Sequence, residues 1–163
     1  MAEPRRTTGT ETGDIKGARI LLVEARFYDD IADALLAGAI RALEQEGVDI
    51  ERVSVPGSLE VPPAIAMALD AADASGKPYE GAVALGCVIR GETLHFEIVS
   101  FESARALMEL SRTRGVPIGN GILTVDNEAQ AWERALMDKG DKGGDAARAS
   151  MALVRLKRRL RAK

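Results

Sequence analysis

Cysteine and histidine occur once each in this sequence, as Cys87 and His95. A single cysteine excludes an internal disulfide, and its place in an apolar run suits a reducing, cytoplasmic setting. The usual zinc ligand sets cannot be assembled from one His and one Cys, and no acidic spacing points to a magnesium site. Aromatics make up only 4% of the residues, so any aromatic at a loop end carries added weight. Met1 to Gly17 lacks an apolar core. Polar and rich in Thr and Gly, it reads as neither signal peptide nor membrane span but as a disordered arm. Positive charge is short as well, and a formal net charge of -3 argues against nucleic-acid binding by the whole surface. The basic end from Arg155 to Lys163 complements a helix dipole and reads as a solvated face. No internal repeat is apparent, and residues 18–163 suffice for a single domain with one sizeable core.

The most informative stretch runs from Gly81 to Glu97. Gly81 to Ile89 is nearly all apolar and uncharged, the pattern of a strand buried on both faces of a parallel sheet. It ends in Arg90-Gly91-Glu92-Thr93, where Gly91 permits close approach of a ligand and Thr93 can cap the helix that follows. His95 falls in the first turn of that helix, so an imidazole and a helix N-terminus lie within one turn of each other.

Around this stretch, strand-like and helix-like segments alternate. Strands are expected at Arg19 to Glu24, Ile50 to Val55, Gly81 to Ile89 and Pro117 to Val125. The first helix carries Ile31 to Leu43 and stops at Gly47, with Asp29 or Asp30 as its cap. The second runs from about Glu60 to Ala74, with Pro62 and Pro63 confined to its first turn. The third, His95 to Arg114, has a broad apolar face that includes Ile98, Val99, Leu107 and Met108. A capping-box pattern at Asn127 to Gln130 opens a fourth helix, Ala129 to Met137. After a break at Asp138 to Gly144, a last helix carries Ala146 to Leu160. Such alternation implies an α/β three-layer sandwich of flavodoxin-like type, with a four-stranded parallel sheet and helices on both faces. Ligands in such folds gather at the carboxyl ends of the strands. The site is therefore expected at Phe27, Pro56 to Glu60, and Cys87 through His95.

Each candidate also has a plainer reading. Phe27 either covers the core or stacks on a ligand, and position alone weighs these equally. Ser58, Leu59 and Glu60 form a simple turn at a helix start, unless their main chain binds a planar polar ring. Ser58 is no nucleophile candidate, since the G-x-S-x-G elbow is absent. Arg90 to Thr93 lacks the P-loop pattern, which leaves a cradle for one phosphate at most. His95 could be structural, but a strand-to-helix junction favours proton transfer.

As a set, these motifs resemble the lumazine synthase family of riboflavin biosynthesis. The resemblance covers about Ala18 to Leu156. It is carried by Ala25-Arg26-Phe27, by Val55 to Pro62, by Ala84 to Phe96, and by Gly121 to Asn127. Gln130 to Ala135 and Asp141-Lys142-Gly143 follow in the expected order. The resemblance implies condensation of 5-amino-6-ribitylaminouracil, a pyrimidine, with 3,4-dihydroxy-2-butanone 4-phosphate, without metal or organic cofactor. By position, Phe27 would stack on the pyrimidine, and Ser58, Leu59, Glu60, Cys87, Val88 and Ile89 would bind its ring and ribityl chain. Glu92 and Thr93 would hold the phosphate, with Arg134 pairing to it, and His95 would relay protons. A homopentamer is implied, with a site shared between subunits, and association with riboflavin synthase is open. Two positions depart from the common pattern. Asn120, in the substrate-binding set, stands where many relatives carry an aromatic, which puts stacking from that side in question. Asp138 replaces a frequent lysine, leaving Arg134 as the main phosphate charge and Lys142 as a second candidate. Asn120 and Arg134 are both expected towards the pole of the sheet opposite His95. The alternatives are a non-catalytic flavin- or lumazine-binding module and a mainly structural shell-former.

Overall fold

The computed structural model describes residues 12–162. β1 (Arg19–Ala25), β2 (Asp49–Val55), β3 (Gly81–Ile89) and β4 (Ile118–Val125) form one sheet in the order β2-β1-β3-β4. Every pairing in it is parallel. Parallel neighbours need crossovers. These are supplied by α1 (Asp29–Glu44), α2 (Val61–Ala74) and α3 (His95–Arg114); α4 (Glu128–Ala135) and α5 (Lys142–Arg161) follow the last strand. Residues alternate between the two faces of each strand. Ile20, Leu22, Val83 and Leu85 pack under α1, α4 and α5, whereas Leu21, Val23, Ala82 and Ala84 pack under α2 and α3. The result is the expected three-layer α/β fold. β3, central in the sheet, is buried over most of its length.

Several local expectations are corrected. α1 has no side-chain cap. Tyr28 holds the N-cap position, and Asp29 and Asp30 sit inside the first turn, where Asp29 is engaged by Arg26. α3 begins at His95 with Leu94 at its cap position. Thr93 still accepts the His95 N–H through Oγ1, at 3.4 Å. A 3-10 turn, Ser58–Glu60, precedes α2, whose first turn holds Pro62 as expected. α4 stops at Ala135, short of Met137. α5 starts at Lys142, inside the expected break. Asp141, at φ 43°, caps it by accepting the Gly144 N–H at 3.3 Å. Gly143 belongs there for proximity rather than flexibility: a Cβ on it would overlap the carbonyl oxygen of Leu35 in α1.

The expected arm, residues 1–17, falls partly outside the described residues. Its last part packs on the domain. Ile15 is fully buried, Gly17 N–H donates to Gly47 O at 2.8 Å, and Arg155 Nε donates to Gly13 O at 2.8 Å. A buried apolar side chain and hydrogen bonds to its main chain together dock it. The broad apolar face of α3 is only half used. Val99 and Leu107 are buried, while Leu94, Ile98, Phe101 and Met108 lie exposed on one side, together with Met67 of α2.

Candidate active site

The carboxyl ends of β1, β2 and β3 open into one cleft of about 430 Å³. Three short segments wall it, because each strand stops where its sequence changes character. β1 yields to Phe27 and Tyr28. β2 yields to Pro56-Gly57 and the Ser58–Glu60 turn. β3 yields to Gly91, Thr93 and the first turn of α3 with His95 and Phe96. Cys87, Val88, Ile89 and Val99 form an apolar floor. The cleft thus gathers Phe27, Ser58, Leu59, Glu60, Cys87, Val88, Ile89, Thr93 and His95, as the topology implied.

Phe27 is 72% exposed and meets the Tyr28 ring edge-on, with centroids 5.0 Å apart. It does not cover the core. Burial pushes the Tyr28 hydroxyl above its ordinary range, with the Cys87 thiol and Glu128 adding to the effect. Burial alone pushes the Cys87 thiol up to about 12, so it is a neutral wall group. His95 is exposed at the rim, and among the described residues its ring makes no hydrogen bond or ion pair. Both ring nitrogens are therefore open to a ligand.

Arg90, next in sequence to the cleft floor, is already committed. Its Nε donates to Asp126 at 2.9 Å and its Nη1 to Glu97 at 2.5 Å, and its guanidinium lies 4.1 Å above the Phe96 ring. Those contacts raise its pKa, the Asp126 hydrogen bond first. Cations of the α4–α5 layer are paired too, Lys139 with Glu133, Lys142 with Asp145, and Arg148 with Asp141 and Asp145. Arg134 is different. It is exposed, donates to Gln130 O at 3.0 Å, and meets no carboxylate among the described residues. A cation without an acidic partner suits an anion from outside.

Glu92, Asn120 and Arg134 do not line the cleft of their own chain. Glu92 is exposed in the turn before α3. Asn120 pairs in register with Ala84, whereas Val125 pairs with Ile89 at the cleft end. It therefore lies roughly 16 Å down the strand at about 3.3 Å per residue, third of the eight residues of β4 and nearer the far pole than the cleft. Arg134 is separated from His95 by the sheet itself, because α4 packs with α1 and α5 while α3 covers the other face. Sequence reasoning passed over Tyr28, Phe96 and Val99 as wall residues. Tyr28 and Phe96 left a signal, as aromatics beside Phe27 and His95 in a chain with few, whereas Val99 left none. Among the described residues, no group of three His, Cys, Asp or Glu is placed to hold a metal ion, and no helix is long and apolar enough to cross a membrane.

The family profile described as 6,7-dimethyl-8-ribityllumazine synthase matches residues 17–158. The chain belongs to the lumazine synthase family. Proteins named 6,7-dimethyl-8-ribityllumazine synthase from Afipia carboxidovorans and Nitrobacter hamburgensis are 62% and 61% identical to it. Each alignment covers 98% of both chains. A 6,7-dimethyl-8-ribityllumazine synthase 1 from Rhizobium meliloti is 60% identical, over 90% of this chain and 95% of its own. Lumazine synthase membership thus spans the elements that build the cleft, from β1 to α5.

Proposed function

We propose that this chain condenses 5-amino-6-ribitylaminouracil with 3,4-dihydroxy-2-butanone 4-phosphate in the cleft, giving 6,7-dimethyl-8-ribityllumazine, phosphate and water. The observation that carries the reading is the unpaired His95 at the rim of an apolar cleft that an exposed Phe27 also lines, in a chain of the lumazine synthase family. The pyrimidine stacks on Phe27, and main-chain groups of 58–60 and 87–89 hold its ring and ribityl chain. Backbone N–H groups at Glu92 and Thr93, by the start of α3, take the phosphate, with charge supplied by Arg134. The amine attacks the ketone and water is lost to form an imine, phosphate leaves by elimination, and the ring closes with loss of a second water. Both reactants are already reactive, so holding them in contact does much of the work, and His95 only relays protons.

Asn120 and Arg134 cannot join this cleft from within the chain, so a neighbouring copy must present them. The unpartnered stripe Leu94, Ile98, Phe101 and Met108 gives that copy an apolar surface. Head-to-tail contacts of this kind close into a ring, and the family resemblance supports five subunits. The same reading carries a cytoplasmic location and an encounter with riboflavin synthase, which would consume the product.

The test is turnover of the two substrates by purified protein. His95→Ala is expected to lower kcat by roughly 10- to 10,000-fold, the span of one acid/base group, with far smaller changes in substrate binding. Absence of lumazine formation by the wild-type protein would refute the enzyme reading, and unchanged turnover in the variant would remove His95 from it.

A further inference from the structure

Glu24 has no solvent exposure, yet it carries a charge within a strand. A buried carboxylate is costly unless it is paired and hydrogen-bonded, and Glu24 is both. Oε1 accepts from Arg52 Nε at 2.7 Å and Ser54 Oγ at 2.8 Å, both across the register on β2. Oε2 accepts from Arg26 Nη1 at 3.2 Å. Arg26 then reaches forward into α1, donating from Nε to Asp29 Oδ1 at 2.7 Å and from Nη2 to Asp33 Oδ1 at 2.9 Å. A continuous ionic chain therefore ties the edge strand to the first turns of α1. Phe27 sits inside it.

Stability alone does not call for this arrangement. Apolar residues of similar volume serve as well as a buried ion pair, and often better. What the charges do provide is a fixed main chain on both sides of an otherwise unsupported ring. Arg26 N–H also donates to Val55 O at 2.9 Å, and Tyr28 O accepts the Ala32 N–H at 2.9 Å. Phe27 between them stays 72% exposed, touched edge-on by Tyr28. A loop held in its binding geometry gives up less ordering entropy when a ligand arrives.

We propose that Arg26, anchored by the buried Glu24, is a positioning residue that holds the Phe27 ring where it stacks on the pyrimidine. This rests on the stacking role given to Phe27 above. The experiment measures steady-state kinetics of wild type, Arg26→Met, Phe27→Ala and the double variant, with Glu24→Gln as a second way of loosening the anchor. Arg26→Met is expected to raise KM for the pyrimidine roughly 5- to 10-fold, the scale of one aromatic contact. KM for the butanone phosphate should move less than about twofold. In the Phe27→Ala background the same substitution should add almost nothing, since contacts acting through one another are not additive. Glu24→Gln should shift the same KM in the same direction. An undiminished Arg26 effect without the Phe27 ring overturns the proposal, as does an unchanged KM in Arg26→Met when Phe27→Ala raises it. If Phe27→Ala itself leaves the pyrimidine KM unchanged, the stacking role fails first and the positioning role falls with it.

Discussion

Cys87 shows how burial decides the chemistry of a residue. It sits on the cleft floor, 8% exposed, with apolar Val88 and Ile89 beside it and no cation near enough to favour a thiolate. Burial disfavours the charged form and pushes its pKa up to about 12. The thiolate is the nucleophile, so reactivity falls with the thiolate fraction. At pH 8 the native protein is expected to react with iodoacetamide about a thousandfold more slowly than a free thiol, with normal reactivity restored in strong denaturant. The rate should rise steadily with pH until the thiol titrates. Rapid labelling of the folded protein at pH 8 would mean that the cleft floor opens to solvent. His95 and Phe27 are the opposite case. Both stand exposed on loop ends, where a side chain without packing duties is free to meet a ligand.

At the scale of elements, legibility in the sequence followed how local the cause was. β3 was readable because burial on both faces leaves a run without charge, Gly81 to Ile89. The walls of the cleft were readable because Pro56-Gly57 and Gly91 mark where strands stop. Glu24 was not, since one charge in the first strand gives no hint that Arg52, Ser54 and Arg26 converge on it. The start of α5 was misplaced for a similar reason. Gly143 and Gly144 read as breakers in sequence, whereas the fold needs a missing Cβ there so that α5 can lie against the Leu35 carbonyl of α1. That cause is separated from its effect by most of the chain. Gly143→Ala must push backbone against backbone, and a cost of about 1 to 3 kcal/mol is expected for such overpacking. The thermal midpoint should fall by roughly 2 to 4 °C per kcal/mol for a domain of this size. Gly91→Ala makes the contrast, since nothing lies within 4 Å of its added Cβ and its φ is not left-handed. Its midpoint should stay at the wild-type value, with any effect appearing in KM. Equal midpoints for both variants would show that α1 and α5 can slide apart freely.

For the whole molecule, the question is where a site ends. The cleft of one chain holds the aromatic, the imidazole and the helix start, but not the guanidinium that could neutralise a phosphate. Arg134 lies in the opposite layer of the sandwich, paired with no carboxylate among the described residues. No side-chain rotation takes it across a sheet whose core is filled on both faces. If each site joins His95 of one subunit to Arg134 of the next, two inactive variants can repair each other. In rings reassembled from equal amounts of His95→Ala and Arg134→Ala, an interface is intact only when the subunit giving His95 is the Arg134→Ala chain. Its neighbour must in turn be the His95→Ala chain. For random mixing each condition holds half the time, so roughly a quarter of wild-type activity should return whatever the ring size. The measurement is turnover after dissociation and reassembly, with mixed rings verified by native mass spectrometry of isotopically distinct chains. Each variant reassembled alone should stay at its own low rate. Mixed rings with no recovered activity would show that Arg134 serves its own subunit, and a site built wholly within one chain would replace the shared one.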